Sequence, residues 1–504
     1  MKVVIVGGGS AGWITAATLA SRFEIGAHSG LEVTVIASAS IPRIGVGEAT
    51  IPTVRNMLRR FDLDESEFMH RCDATFKYGI QFEDWAGLET CFLHPFERIN
   101  TPDTRNITSR WVAAKNRQKF SDYVSAQSHV IRNKLAPRSV EAPDFQGEFP
   151  YAYHMDAELF ADLLQEKTMQ RGVQYVEGEV AEIRRTDGGA IACLELVNGR
   201  AIEADFFVDC TGFASILSND DENESNWVDQ SGSLLCDHVV TLRVPEDPET
   251  FAPETFTISK ALSAGWCWEI GLRNRKGFGY VYSSAFLSAE DAEKELRAQL
   301  DLPTLDVDVN HLEFRVGRVK AAWQQNVVAI GLSAGFLEPL ESTGLFLADY
   351  AARCLCEMFP THSGAVSSHA LSTRYNQLVS EMHDDIFDFI TMHYHVAKRR
   401  DTQFWKAASS RDRLSDRLKM LLGIWDLRPP SFSDFSLRYS PFTHQNYEYI
   451  LLGSGWAPDN ITIEIDNLDV ASSVLKRQAN LKTGLPLQID FLKVPCQSDG
   501  ALSD

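Results

Sequence analysis

A lysine set among aromatic residues opens the chemical reading of this chain. In "FKYGIQFEDW" (76–85), strand alternation puts Phe76, Tyr78, Ile80 and Phe82 on one face and Lys77, Gly79 and Gln81 on the other. Lys77 is then either a solvated charge at a sheet edge or an amine held for chemistry. Far downstream, "LEPLESTGLF" (337–346) sets Glu338 and Glu341 among apolar neighbours, where a carboxylate needs a partner or a task. The Ser342-Thr343-Gly344 turn that follows supplies backbone N–H groups able to hold a small anion. A third stretch, "GWCWEIG" (265–271), places Trp266, Trp268 and Ile270 on one strand face, with Cys267 and Glu269 on the other. Two indoles on one face are either ordinary core or a barrier.

The elements that must position these residues begin at the N-terminus. "KVVIV" (2–6) reads as a short buried strand, followed by Gly7-Gly8-Gly9-Ser10-Ala11-Gly12 and a helical "WITAATLASRF". Strand, G-x-G-x-x-G, helix is the dinucleotide-binding fingerprint in its proper context. Gly7 makes the tight turn, Gly9 admits a pyrophosphate close to the backbone, and Gly12 lets helix and strand pack. "LEVTVIAS" (31–38) is the second strand. It ends in Ala37-Ser38 where an acid for the ribose is expected, so Ser38 is the weak substitute. A helix, a stop at Gly172 and a strand follow over 153–183. Further strand-to-glycine junctions lie at 204–215 and 326–346. Together they resemble the flavin-binding module of p-hydroxybenzoate-hydroxylase-like monooxygenases. The last 140 residues read as largely helical to about 425, where "DLRPPSFSD" marks a break.

Composition sets outer limits. With 504 residues, 44% of them hydrophobic, the chain has ample material for a large core and more than one module. A formal charge of −21 argues against nucleic acid and anionic membrane as partners. The densest acidic run, "DDENES" (220–225), reads as a solvated loop. Nine scattered cysteines without a CxxC pair suggest reduced thiols and a cytoplasmic setting. No stretch is long enough to span a membrane.

Read in order, the blocks Gly7–Gly12, "PRIGVGEATIP" (42–52), "FKYGIQF", "HPF" (94–96), "GWCWEI", "GYVYSS" (279–284), "GFLEPLESTGL", "DFITMHY" (388–394) and "DTQFW" (401–405) resemble the flavin-dependent tryptophan halogenases. The resemblance implies an α/β fold: a Rossmann-like FAD-binding module of the flavin monooxygenase type with an added β-sheet, and a largely helical C-terminal substrate module. The expected division is 1–360 and 361–504. In that family reduced FAD and dioxygen oxidise chloride or bromide, and hypohalous acid passes through an internal tunnel to the substrate. The resemblance makes Lys77 the residue that captures or hydrogen-bonds the oxidant, and Glu341 the one that polarises it and stabilises the cationic arene. Thr343 and Gly344 fall at the halide. Trp266 and Trp268 stand between flavin and substrate, barring direct oxygen transfer.

For FAD itself, Gly7, Gly9, Ser10, Ala11, Gly12 and Ser38 are joined by Ile44, Gly45, Val46, Gly47, Glu48 and Ala49, and by Gly331, Leu340, Gly344 and Leu345 at the late junction. His94 and Phe96 match residues that stack on the indole; Ser342 and Tyr447 join the substrate set, and Glu448 stands where a second tyrosine is usual. A carboxylate there is expected to repel an amino acid's own carboxylate, favouring free indole or a larger arene over free tryptophan. Gly271 replaces the family's usual proline, which is expected to loosen the strand end and widen the tunnel. With no second fingerprint for NAD(P)H, reduced flavin is expected from a separate NAD(P)H-dependent flavin reductase. No metal is implied, the chain is expected to be a monomer or homodimer, and the alternative activity is direct hydroxylation of an aromatic.

Overall fold

In the computed structural model all residues are described except 27–29, 42–46, 99–103, 114–117, 219–225, 302–306, 361, 437–438, 457–469, 482–483 and 495–504. The acidic run at 220–225 and the proposed flavin contacts Ile44, Gly45 and Val46 therefore lie outside the described residues.

The strand Lys2–Val6 sits inside a six-stranded sheet. Its neighbours run Trp323–Gln324, Val327–Ala329, Phe206–Asp209, Lys2–Val6, Glu32–Ala37, Gln174–Glu177, parallel throughout except at the Trp323–Gln324 edge. A parallel sheet must be covered on both faces, and the alternation of the first strand shows how. Val3 and Ile5 pack with Trp13 and Ile14 of the helix Ser10–Arg22. Val4 and Val6 pack with Ile191, Leu194 and Leu196, the last three from a small antiparallel meander over Val180–Arg185, Ile191–Leu196 and Ala201–Ile202.

The second large sheet carries the chemistry. Its seven strands run Val309–Glu313, His238–Pro245, Arg275–Tyr282, Gly265–Gly271, Thr257–Ala261, Gly79–Glu83, Cys91–Pro95. The tryptophan strand, Gly265–Gly271, is thus central. Trp266, Trp268 and Ile270 enter the main core, whereas Cys267 enters a separate cluster with Tyr280 and Leu296. Glu269 is half-buried and paired with Lys276 at 2.9 Å. The alternation read from sequence is what the fold shows.

The stretch around Lys77 departs from expectation. It is two strands in two sheets, Thr75–Lys77 and Gly79–Glu83, broken at Tyr78, whose N–H donates to Thr255 O at 2.7 Å. Thr75–Lys77 pairs with Ala152–Met155, which also pairs with Glu48–Ala49. Both faces are covered, so Lys77 is wholly buried and the solvated-edge alternative is removed. Gly79 is required by the crossing: a side chain there would lie 2.3 Å from His94 O.

The C-terminal third is helical, as read, but continues past 425 into His444–Gly453, Val470–Leu481 and Gln488–Leu492. A capping box between Thr443 and Asn446 starts the first of these, a polar signal that hydrophobic periodicity does not register. None of the described helices is long and apolar enough to cross a membrane.

Candidate active site and flavin cradle

The glycine fingerprint separates into packing and open positions. Gly7 has φ 120°, and a side chain there would meet Cys210 O at 2.1 Å; one at Gly12 would meet Gly7 O at 1.9 Å. A side chain at Gly9, by contrast, would meet nothing within 4 Å. Gly9 faces open space at the N-terminus of helix Ser10–Arg22, where the free backbone N–H groups favour a phosphate. Ser10 and Ala11 begin that helix, and Gly331 (φ 78°) comes so close to Ala11 that an added Cβ would lie 2.7 Å from its methyl. This geometry fits a dinucleotide pyrophosphate. Ser38 is half-buried and its hydroxyl pairs with that of Ser40 at 2.7 Å.

Gly47 (φ 87°) lies over the tryptophan strand, where a side chain would strike Ile270 Cδ1 at 2.7 Å. Next to it, Glu48 and Ala49 pair with His154 and Met155. Burial pushes the Glu48 carboxyl up to about 7, with the Lys77 charge pulling the other way.

Lys77 Nζ donates to Ser342 Oγ at 2.8 Å and lies 5.5 Å from the centre of the half-buried Phe96 ring. Burial pulls its ammonium down to about 7, although the Glu341 and Glu48 carboxylates both favour the charged form. Ser342 holds a left-handed backbone (φ 59°), a conformation unfavourable for a residue with a side chain. It turns the chain into helix Gly344–Glu357, with Thr343 as the residue before the helix. A side chain at Gly344 would meet nothing, so the first N–H groups of this helix are open too. Beside the turn, a cavity of about 10 Å³ lined by Thr50, Ser342 and Leu345, among others, has room for roughly one water or small ion. Leu340 is buried in the main core.

Glu341 is held from two sides. Its Oε1 lies 3.1 Å from His94 Nδ1 and 2.8 Å from His393 Nε2. Burial alone would raise this carboxyl, but the two histidines outweigh it and keep it at about 2. Glu338 has no histidine partner among the described residues: burial lifts it to about 7, with Tyr394 Oη donating at 2.8 Å and the nearby Trp266 N–H and Cys236 easing the charge. The indoles are buried, and Trp268 lies so close over Gly279 that any side chain there would meet the ring at 2.3 Å.

The sequence-derived substrate residues divide. His94 and Phe96 sit beside Glu341 and Lys77 respectively, and Ser342 accepts from Lys77 Nζ. Tyr447 instead packs among Phe389, Trp425 and Phe435. Glu448 is buried and accepts from Thr108 Oγ1 at 2.8 Å; burial raises it to about 8. Burial thus favours the neutral carboxyl, which weakens the repulsion expected of it. Gly271 likewise differs from expectation. It lies against Pro253, where a Cβ would come within 2.7 Å, and its carbonyl accepts from Thr75 Oγ1 at 2.6 Å. The strand end is close-packed, so nothing widens there. Two residues of the site have no role in the sequence reading: His393, inside the block 388–394, and Asn446, whose amide nitrogen lies 2.9 Å from His94 Nε2. A histidine in the buried run "IFDFITMHYHV" was the available signal for the first.

Comparison with known proteins agrees with this geometry. A family profile for tryptophan halogenase matches residues 2–469. The chain is 35% identical to the tryptophan 6-halogenase SttH of Streptomyces toxytricini, over 90% of this chain and 89% of that one. It is 33% identical to the tryptophan 7-halogenase RebH of Lentzea aerocolonigenes, over 98% of each. Among solved structures, the tryptophan halogenase of Shewanella frigidimarina superposes with a TM-score of 0.90 at 30% identity, covering 98% of this chain and 97% of its own. The chain belongs to the tryptophan halogenase family.

Proposed function

We propose that this protein is an FAD-dependent halogenase that uses reduced FAD, dioxygen and chloride or bromide to halogenate an indole or another electron-rich arene. The observation that carries the reading is Lys77, a fully buried amine bonded to the turn that opens helix Gly344–Glu357 and flanked by the Glu341 carboxylate. Relatives named for tryptophan halogenation support an indole as the reacting ring.

Gly9, Ser10 and Ala11 would hold the FAD pyrophosphate on the N-terminus of helix Ser10–Arg22, and Gly331, Leu340 and Leu345 would meet the flavin end. Dioxygen would take two electrons from bound reduced FAD and two from the halide, leaving hypohalous acid, water and oxidised FAD. The backbone N–H groups after Thr343 would hold the halide. Lys77 then orients the hypohalous oxidant by hydrogen bond or as a haloamine, and Glu341 offsets positive charge on the ring. Trp266 and Trp268 keep the flavin side from the substrate side, and exclusion of water confines a diffusible oxidant. Reduced FAD comes from a separate NAD(P)H-dependent reductase.

Purified protein with FAD, a flavin reductase, NADH, one halide and a panel of indoles tests this by mass spectrometry. A halogen isotope pattern is expected; a gain of one oxygen instead would make the enzyme a hydroxylase.

A further inference from the structure

Glu341 stands between two histidines that look equivalent, but their outer nitrogens are fixed differently. On one side, His94 Nε2 lies 2.9 Å from Asn446 Nδ2. The Asn446 amide cannot turn over, because its Oδ1 accepts from Thr443 N–H at 2.8 Å and from Thr443 Oγ1 at 3.1 Å in the helix cap. Asn446 therefore presents its NH2 to His94, and His94 Nε2 must accept. The ring is left with its single proton on Nδ1, which it donates to Glu341. On the other side, His393 Nδ1 lies 2.7 Å from the Phe389 carbonyl, which only accepts, so Nδ1 carries a proton. His393 Nε2 is 2.8 Å from Glu341 Oε1, and that contact is favourable only with a second proton between them.

We infer that His393 is the imidazolium that keeps Glu341 an anion, while His94 is a neutral donor locked by Asn446. His393 is thus a positioning residue: it acts on the substrate through Glu341. The inference deepens the proposed halogenase reading and rests on it for its kinetic test.

Among the described residues, His94 and Lys77 are the other basic groups set against Glu341. His393 otherwise faces the rings of Phe82, Trp85 and Phe389. His94 reaches Glu341 from the strand Cys91–Pro95 and, being neutral, contributes a hydrogen bond. Lys77 lends Glu341 some charge from the strand Thr75–Lys77, but it is bonded to Ser342 and also acts on Glu48. The molecule contains its own controls. Glu338 and Glu448 are equally buried, each has a hydroxyl donor and no histidine, and burial lifts them to about 7 and about 8. Glu341, with both histidines against it, is held at about 2.

Two measurements test the assignment. In protein labelled with 15N-histidine, with signals assigned by loss in H393Q and H94Q, His393 should show both ring nitrogens protonated at pH 7. His94 should show one protonated and one bare nitrogen. The reverse pattern, or two neutral rings, overturns the inference, and this readout holds whether or not product forms. The second is the pH profile of halogenation. His393→Gln keeps a hydrogen-bond donor but removes the cation, so Glu341 should protonate near neutrality. Its kcat at pH 5.5 should fall about tenfold or more relative to pH 8, a limb absent from the parent. His94→Gln replaces one neutral donor by another and should gain no such limb. The same acid limb in both variants, or in neither, overturns the inference. A parent enzyme that halogenates no indole would instead overturn the proposed activity, and the NMR pattern alone would then decide this assignment.

Discussion

The flavin cradle and the lysine–glutamate site are built on opposite plans. The cradle works through backbone: Gly7 and Gly12 are bare because neighbouring carbonyls occupy the space, and Gly9 is bare facing open space at a helix start. The second site works through polar and charged side chains brought from distant segments and sealed from water, Lys77, His94, Glu341 and His393. Backbone recognition tolerates water and needs only local shape. A buried ion cluster needs each member's partner in place, because an unpaired charge there is strongly unfavourable. The two sites should therefore fail independently, and in different measurements.

The largest effects test that separation. Gly9→Val fills the open space with a branched side chain and should weaken FAD binding by about 100-fold or more, read by flavin fluorescence titration. Lys77→Ala should leave FAD binding and reduced-flavin oxidation intact while halogenation falls by about 1,000-fold, because in the proposed mechanism the lysine acts on the oxidant after it forms. Loss of flavin binding in the lysine variant would show the two regions to be coupled. Glu341→Gln should give a smaller loss, about 100-fold in kcat, with flavin oxidation again unchanged; a loss of flavin oxidation as well would mark a folding role.

The same contrast explains what the sequence revealed. Residues 2–12 announce the cradle because strand, turn and helix are contiguous and each glycine answers a local demand. The fold class and the tryptophan alternation were legible for the same reason, since period-2 burial is written along one strand. Lys77 was ambiguous because strand Thr75–Lys77 ends at Tyr78 and crosses into a second sheet, a break with no local signal beyond Gly79. His393 was not singled out because its importance exists only where helix His369–Val396 meets Glu341. Glu448 and Gly271 carry no local sign of their surroundings: burial favours a neutral carboxyl at Glu448, and Pro253 and Phe251 fill the space beside Gly271.

A buried amine also carries a stability penalty that the cradle does not. Lys77 falls from 10.5 in the unfolded chain to about 7 in the folded one, so folding expels a proton between those pH values. The penalty is full below about pH 7 and fades as pH rises toward 10.5, where both states are unprotonated. Lys77→Met should therefore stabilise the protein by roughly 2–4 kcal/mol at pH 7, and by less at pH 10, read by urea denaturation. A gain that does not shrink with pH would assign it to packing. Glu448→Gln should do much less. Burial favours the neutral carboxyl there, so tryptophan and indole preference in a competition assay should shift less than about threefold.

The smallest effect concerns the halide, where the two plans meet. The turn at Ser342–Gly344 offers helix N–H dipoles, as the cradle does, and the nearest cation, Lys77, is already bonded to Ser342 Oγ. A site built from dipoles selects mainly by size and by the work of removing water. Chloride is harder to strip of water than bromide and harder to oxidise, so both terms favour bromide. The close-packed Gly271 adds nothing to that bias, since no widening of the strand end accompanies it. Bromination should therefore run at least as fast as chlorination, by about one- to fivefold, in parallel reactions at equal halide concentration in halide-free buffer with one indole. Because the lysine is committed to Ser342, Ser342→Ala would free it to face the halide and should narrow the difference. Chlorination that clearly outpaces bromination in the parent enzyme would mean that Lys77, and not the helix start, binds the ion.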